Sequence, residues 1–142
     1  MLDEVKTNKI YFIGGEMVFY YKLLNPDQFI MYTDFQSIYD DACKNIKNTH
    51  NIHLIDYSRD HLCKVDNDYI LIANTSKHGL GQNLCHEINA LDLDKIFIIS
   101  CNKKSFINDY KLLQQKYSIT YTFEINTNYC RSEEHTSELQ SH

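Results

Sequence analysis

The apolar residues of this chain fall into short runs that are separated by polar segments. The runs are rich in β-branched and aromatic side chains and are too short for helices, so they favour strands. They are Ile10–Ile13, Phe29–Tyr32, Ile52–Ile55, Tyr69–Ala73, Ile96–Ile99 and Ile119–Ile125. The run Ile96–Ile99 shows no alternation of polar and apolar residues, which is typical of a strand covered on both faces.

Helical spacing appears in the segments between these runs. Ile38, Ala42 and Ile46 recur every four residues with polar residues between them, as on one face of a helix. The predicted helices are Met17–Leu24, which we expect to be buried, then Phe35–Lys47, Asn83–Leu91 and Ser105–Lys116, with Ser105 as an N-cap. Strands alternating with helices predict an α/β fold, a three-layer α/β/α sandwich around a mostly parallel sheet.

Glycine or a small polar residue closes most of the predicted strands. These residues are Gly14, Asp34, Asp56, Asn74 and Cys101. The carboxyl ends of parallel strands meet at one edge, and ligands of open α/β sheets bind there. Each residue alone is ordinary turn chemistry, but together they predict one cleft for a nucleotide-like ligand.

Composition narrows the class of protein. The chain has 142 residues, is 43% hydrophobic and contains one proline and four glycines, which predicts a single globular domain. A net charge of −5 gives no electrostatic footprint for a nucleic acid. We expect no membrane span and no secretory signal, since no apolar run approaches 18 residues and the N-terminus lacks an apolar core.

The five cysteines form no Cys-x-x-Cys pair. This pattern favours reduced thiols in the cytoplasm and argues against a zinc or iron–sulfur site. Cys101 stands out because it follows the buried strand directly, within Ser100-Cys101-Asn102. A buried cysteine without a chemical role is the alternative interpretation.

The last segment, Arg131–His142, resembles the in-frame translation of a short-read sequencing adapter. We therefore divide the chain into a truncated domain, residues 1–130, and an adapter-derived segment, residues 131–142. This segment is polar and poor in β-branched residues, so we expect it to be irregular or at most loosely helical.

From Asp68 onward the chain resembles the S-adenosylmethionine-dependent RNA uracil-C5 methyltransferases, which make 5-methyluridine in tRNA and rRNA. Their fourth motif, a strand followed by Asp-Pro-Pro-Arg-x-Gly, corresponds to the strand that ends in Asn74-Thr75-Ser76-Lys77-His78-Gly79. Their Ser-Cys-Asn-Pro motif corresponds to Ser100–Lys103, and their Arg-Asp-Leu to Asn108–Tyr110. Upstream, Gly14-Gly15 stands in the cofactor loop and Asp34 ends the second strand.

The resemblance implies a Rossmann-like class I methyltransferase fold, S-adenosylmethionine as cofactor and RNA as partner, with no metal. Such sheets usually carry a seventh, antiparallel strand beside the fifth. Residues 131–142 are not expected to supply it, so the sheet is expected to lack its last strand and Ile96–Ile99 to have no partner on one side. Cys101 would be the nucleophile that adds to C6 of the pyrimidine, and Asn74 would contact the pyrimidine edge. Gly14, Gly15, Asp34 and Asp56 would bind the cofactor, with Asp34 accepting hydrogen bonds from its ribose.

Several positions depart from the family pattern. The acidic residue of the first motif is replaced by Ile10 or Tyr11, and the fourth-motif Asp is Asn74. The two prolines are Thr75 and Ser76, and the general-base Glu would lie on the stretch occupied by the adapter-like segment. The alternative is therefore a non-catalytic Rossmann-like domain that binds a nucleotide or a protein partner. A small-molecule methyltransferase is a third possibility.

Overall fold

Seven strands and four helices make up the part of the chain that the structure describes. The computed structural model describes residues 9–15, 17–33, 36–45, 52–55, 62–75, 78–100, 102–126 and 133–141. In chain order the elements are β1 (Lys9–Gly14), α1 (Met17–Leu24), β2 (Gln28–Tyr32), α2 (Gln36–Asn45), β3 (Ile52–Ile55), β4 (Ile70–Asn74), α3 (Gln82–Leu91), β5 (Lys95–Ser100), α4 (Lys103–Leu113), β6 (Tyr117–Asn126) and β7 (Glu133–Ser141).

The strands form one sheet in the order β3-β2-β1-β4-β5-β7-β6. Strands β1 to β5 pair in parallel, and β7 runs antiparallel to both of its neighbours, β5 and β6. The strand order reverses between β1 and β4, where Gly14 pairs with Asn74. Such a reversal opens a crevice at the carboxyl edge of a parallel sheet, because the two crossovers leave in opposite directions.

Two apolar clusters cover the two faces of the sheet. On one face Ile96 and Ile98 pack with side chains from α3 and α4, such as Ile88 and Phe106. On the other face Phe97 and Ile99 lie in a cluster with side chains from α1 and α2. The predicted three-layer α/β/α sandwich is thus confirmed, as is the burial of Ile96–Ile99 on both faces.

Two local expectations are wrong. Helix α1 spans the predicted residues, but it is only half-buried, since Phe19 and Leu23 are 57% and 55% exposed while Tyr20 packs on Phe12. The N-cap of α4 is Asn102 and not Ser105, because Asn102 has an extended backbone and its side chain accepts a hydrogen bond from the Ser105 N–H at 3.2 Å.

The expectation that the sheet lacks its last strand is also wrong. Residues Glu133–Ser141 form β7 between β5 and β6, and Ser137, Glu138 and Leu139 are buried. Strands β5 and β6 each present a row of backbone donors and acceptors, and an extended segment between them pairs both rows. The interpretation of residues 131–142 as adapter-derived stays a prediction.

Candidate functional site

The candidate site lies at the reversal of strand order, where β1 and β4 end side by side. Gly14 has a φ of +112°, and a Cβ atom there would lie 2.0 Å from the backbone oxygen of Asn74. Any side chain at position 14 would therefore push the two strand ends apart. At Gly15 a Cβ atom would meet nothing within 4 Å, so the turn after β1 is open on that side.

Asn74 ties the end of β4 to this glycine turn. Its Nδ2 donates a hydrogen bond to the Gly15 carbonyl oxygen at 3.0 Å. A carbonyl oxygen can only accept, so this contact fixes which way the amide is turned. The side chain can still offer its Oδ1 atom as an acceptor and its second N–H as a donor. An ionised Asp at this position could not make the contact, because it has no N–H to donate.

The segment after β4 is also joined to the end of β5. The Thr75 backbone N–H and its hydroxyl both donate to the Ile99 carbonyl oxygen, at 2.9 Å and 3.2 Å. Ser100 is buried, and its hydroxyl donates to the Asn102 carbonyl at 2.9 Å and accepts from the Asn102 N–H at 3.2 Å. Ser100 and Asn102 are thereby linked to each other directly before α4.

The sequence-predicted site residues divide into two groups. Gly14 and Asn74 lie together at one edge of the sheet, as the strand pattern predicts, and Gly15 lies beside them. Cys101, Asp34 and Asp56 lie outside the described residues, so their roles stay predictions. Ile10 and Tyr11, which occupy the place of the family's acidic residue, are 1% and 0% exposed and belong to the core.

Sequence reasoning assigned no role to Asp109, the Asp of the Asn108–Tyr110 match, which is a buried carboxylate in the structure. Asp109 of α4 is 3% exposed and accepts hydrogen bonds from the Leu80 N–H at 2.8 Å and the Gly81 N–H at 3.2 Å. Burial raises the pKa of the Asp109 carboxyl, whereas these two backbone hydrogen bonds act to lower it. Its position on the buried face of α4, one turn after Phe106 and one before Leu113, is the signal that could have found it.

Cys85 of α3 also lies beside Asp109. Its Sγ atom lies 3.9 Å from Asp109 Oδ1 and 3.9 Å from the Asp109 carbonyl oxygen. Burial raises the pKa of the Cys85 thiol to about 12, and the neighbouring Asp109 charge acts in the same direction. The thiol is therefore neutral at ordinary pH and does not have the thiolate character of a nucleophile.

Neither a metal site nor a membrane span is found in the part of the chain that the structure describes. No group of three or more His, Cys, Asp or Glu residues there is arranged to hold a metal ion. None of the helices within the described ranges combines the length and the apolar character that a membrane crossing needs.

Comparison with solved structures identifies the fold. The chain superposes on the Pyrococcus abyssi tRNA (uracil-54, C5)-methyltransferase in complex with S-adenosyl-L-homocysteine with a TM-score of 0.76 at 17% identity. The match covers 96% of this chain and 35% of that enzyme. The Rossmann-like methyltransferase fold is confirmed.

A second solved structure extends the comparison. The N-methyltransferase NodS from Bradyrhizobium japonicum WM9, in complex with S-adenosyl-L-homocysteine, matches with a TM-score of 0.74 at 8% identity, over 94% of this chain and 78% of that one. No protein-family model matches the chain, and no curated protein sequence does. The chain thus shares its fold with methyltransferases of different acceptors, and it spans about a third of the length of the archaeal enzyme.

Proposed function

We propose that the chain is the catalytic domain of a methyltransferase that uses S-adenosylmethionine and methylates C5 of uracil in tRNA or rRNA. The observation that carries the proposal is that Gly14, Gly15 and Asn74 lie together where the strand order reverses, linked by strand pairing and a hydrogen bond. This is where Rossmann-like sheets bind nucleotide cofactors, and a glycine backbone allows a cofactor to approach closely. The open space beside Gly15 fits such a ligand.

The roles of the remaining residues follow from the chemistry of uracil. Its C5 atom is a poor nucleophile, and a thiolate from Cys101 that adds to C6 would turn the ring into an enolate. The cofactor supplies an electrophilic methyl group on a sulfonium sulfur. C5 of the enolate would take this methyl group while the sulfonium C–S bond breaks and S-adenosylhomocysteine leaves. A base would then remove the C5 proton, the C6–S bond would break and the Cys101 thiolate would be released. Asn74 Oδ1 would accept a hydrogen bond from the N3–H group of the ring.

Two exposed lysines support an RNA acceptor. Lys103 and Lys104 form the first turn of α4, directly after Asn102 at the site edge. They place positive charge beside the edge in a chain whose net charge is −5. Positive side chains near a site attract phosphate groups whatever the base sequence.

A non-catalytic domain that binds a nucleotide or a protein partner is the second candidate. It is favoured because Asn74 and Thr75, in the segment that matches the family's fourth motif, use their polar groups in hydrogen bonds within the protein. Asn74 donates to Gly15, and both donors of Thr75 go to the Ile99 carbonyl, so these groups hold the protein together. In this candidate the edge keeps its shape without performing chemistry.

A trapping experiment separates the two candidates. The full chain is mixed with RNA that contains 5-fluorouracil, with and without S-adenosylmethionine, and covalent adducts are resolved by denaturing electrophoresis. Fluorine cannot leave as a cation, so an adduct formed through Cys101 would persist without any contribution from a general base. Cofactor binding is measured separately by calorimetry.

An adduct that requires both the cofactor and Cys101 supports the methyltransferase, with Cys101→Ala as the control. Cofactor binding without an adduct supports the non-catalytic domain instead. If the chain binds no S-adenosylmethionine at millimolar concentration, the proposal is wrong.

A further inference from the structure

One carboxylate holds together the two segments that leave β4 and β5. The segment Gly79–Gly81 leads into α3, and its Leu80 and Gly81 N–H groups both point at the Asp109 carboxylate. Asp109 belongs to α4, which begins directly after the turn at Ser100 and Asn102. The contact therefore bridges residues that are 28 and 29 positions apart in the sequence.

The fit between the segment and the carboxylate is close. Gly79 has a φ of +76°, and a Cβ atom there would lie 2.6 Å from Asp109 Oδ2. Gly81 is the N-cap of α3 and has no side chain to accept a hydrogen bond from the helix. Asp109 instead accepts from the Leu80 and Gly81 N–H groups just before the first turn of α3, and its negative charge lies near the positive end of the α3 dipole.

The same two segments carry the described polar residues of the candidate site. Asn74 and Thr75 stand at the end of β4, shortly before Gly79 in the sequence, and Ser100 and Asn102 stand directly before the helix of Asp109. A shift of the Gly79–Gly81 segment relative to α4 would change the shape of the edge beside the end of β4 and the start of α4. Binding groups misplaced by about 1 Å can cost a large factor in rate, because the reaction needs aligned atoms.

We propose that Asp109 is a positioning residue of this site: by fixing the Gly79–Gly81 segment on α4, its carboxylate holds the entry of α3 against α4 and so sets the shape of the edge at which the acceptor would be held. The inference rests on the proposed function, because it affects activity only if this edge binds the acceptor. A purely structural cap would stabilise the fold without any separate effect on the acceptor.

The test compares Asp109→Asn with Asp92→Asn in the full chain. Asp109→Asn keeps the shape of the side chain but removes its charge and turns an NH₂ group toward one of the two N–H donors. Asp92 is the matched control, since it pairs with Lys116 at the far ends of α3 and α4 and is exposed. Amide hydrogen exchange at Leu80 and Gly81, cofactor affinity and the rate of adduct formation are measured for each variant.

In Asp109→Asn we expect exchange at Leu80 and Gly81 to accelerate about tenfold or more, since hydrogen bonds to a charged acceptor are the strong ones. We expect the adduct rate to fall about tenfold while the affinity for S-adenosylmethionine stays within about twofold, because the cofactor turn is on β1. Asp92→Asn should leave all three quantities unchanged.

Three outcomes overturn the proposal. Unchanged exchange at Leu80 and Gly81 would show that Asp109 does not hold the segment. Faster exchange with an unchanged adduct rate would show that it is a structural cap alone. A wild-type chain that neither binds cofactor nor forms adduct would refute the proposed function and this inference together, whereas the first two outcomes leave the function standing.

If Asp109→Asn does not fold, Gly79→Ala serves in its place. Its added methyl group would press on Asp109 Oδ2 without changing any charge. Gly81→Ala is the control for the backbone, because Gly81 has a φ of +87° but open space around the added atom. A lower adduct rate in Gly79→Ala than in Gly81→Ala supports the proposal, and equal rates overturn it.

Discussion

Replacing Gly14 by Ala is expected to destabilise the fold more than the same change at Gly15, the other glycine of the turn after β1. The added Cβ atom would lie 2.0 Å from the Asn74 carbonyl oxygen and 2.9 Å from its carbonyl carbon. Both atoms are backbone, and residues 14 and 74 are paired in the middle of the sheet. No side chain can rotate away, so one of the two strands has to move.

The size of the effect has three parts. A residue other than glycine at a φ of +112° is strained by about 1–3 kcal/mol. Forcing an extra carbon into a packed site adds about 1–3 kcal/mol. The lower entropy of alanine in the unfolded chain returns about 0.4–1 kcal/mol to the folded state. We expect a loss of about 3 kcal/mol in the free energy of unfolding, or about 6–12 °C in Tm for a domain near this size.

Urea denaturation followed by far-ultraviolet circular dichroism measures this loss, since the chain has no tryptophan for fluorescence. Gly15→Ala is the first control, because its Cβ atom would meet nothing within 4 Å. Gly81→Ala is the second, because it has a positive φ but open space, and so it reports backbone strain alone. If Gly14→Ala costs no more than Gly81→Ala, the close approach of β1 and β4 is wrong.

The other predictions concern the core, a buried thiol and the last strand. Phe97→Ala should lower the free energy of unfolding by about 3–5 kcal/mol in urea titrations, because Phe97 is 1% exposed at the centre of the sheet; a loss below that range would place it nearer the surface. Burial raises the pKa of Cys85 to about 12, above its unfolded value of about 8.5. The stability that comes from the neutral thiol is therefore fully present below about pH 8.5 and is lost as the pH rises toward 12. Urea midpoints at pH 8 and pH 10 should therefore differ less in Cys85→Ala than in the wild type, and equal differences would contradict the burial of the thiol. Ser137→Pro should destabilise by about 3 kcal/mol or more, since proline removes a ladder hydrogen bond from a central strand, whereas Ser137→Ala should cost far less; equal thermal melts of the two variants would argue against β7.

The sequence predicts most of the sheet because the buried strands are apolar at successive positions, so there is no choice of which face to bury. Ile96–Ile99 is apolar at every position, and the structure buries it on both faces. The helix between β1 and β2 was placed correctly, but its burial was not. Phe19 and Leu23 are as apolar as the buried Tyr20, so composition alone cannot say which face of such a helix meets the sheet.

The site was predictable where it depends on strand ends and not where it depends on contacts between distant residues. Gly14 and Asn74 share an edge because both close parallel strands. The hydrogen bond from Asn74 to Gly15 joins residues that are 59 positions apart, and it depends on the order of strands in the sheet. The motif match marked Asp109, but its burial and its partners were hidden for the same reason, since those partners lie at the entry of a different helix and an Asp in a helix usually faces solvent.

Strand β7 shows what backbone pairing requires of a sequence and what it leaves open. Between β5 and β6 every extended residue except proline can offer its N–H and C=O groups to the two neighbours, so the position itself favours a strand. The side chains then select the register. Leu139 joins the cluster that contains Ile96, and Glu138 lies on the opposite face with its Oε1 atom 3.3 Å from Lys95 Nζ. A slip of one residue would send the Glu138 carboxylate into the apolar cluster that now holds Leu139 and would leave it without Lys95. The neighbouring residues Glu138 and Leu139 therefore favour the observed register of an otherwise polar strand.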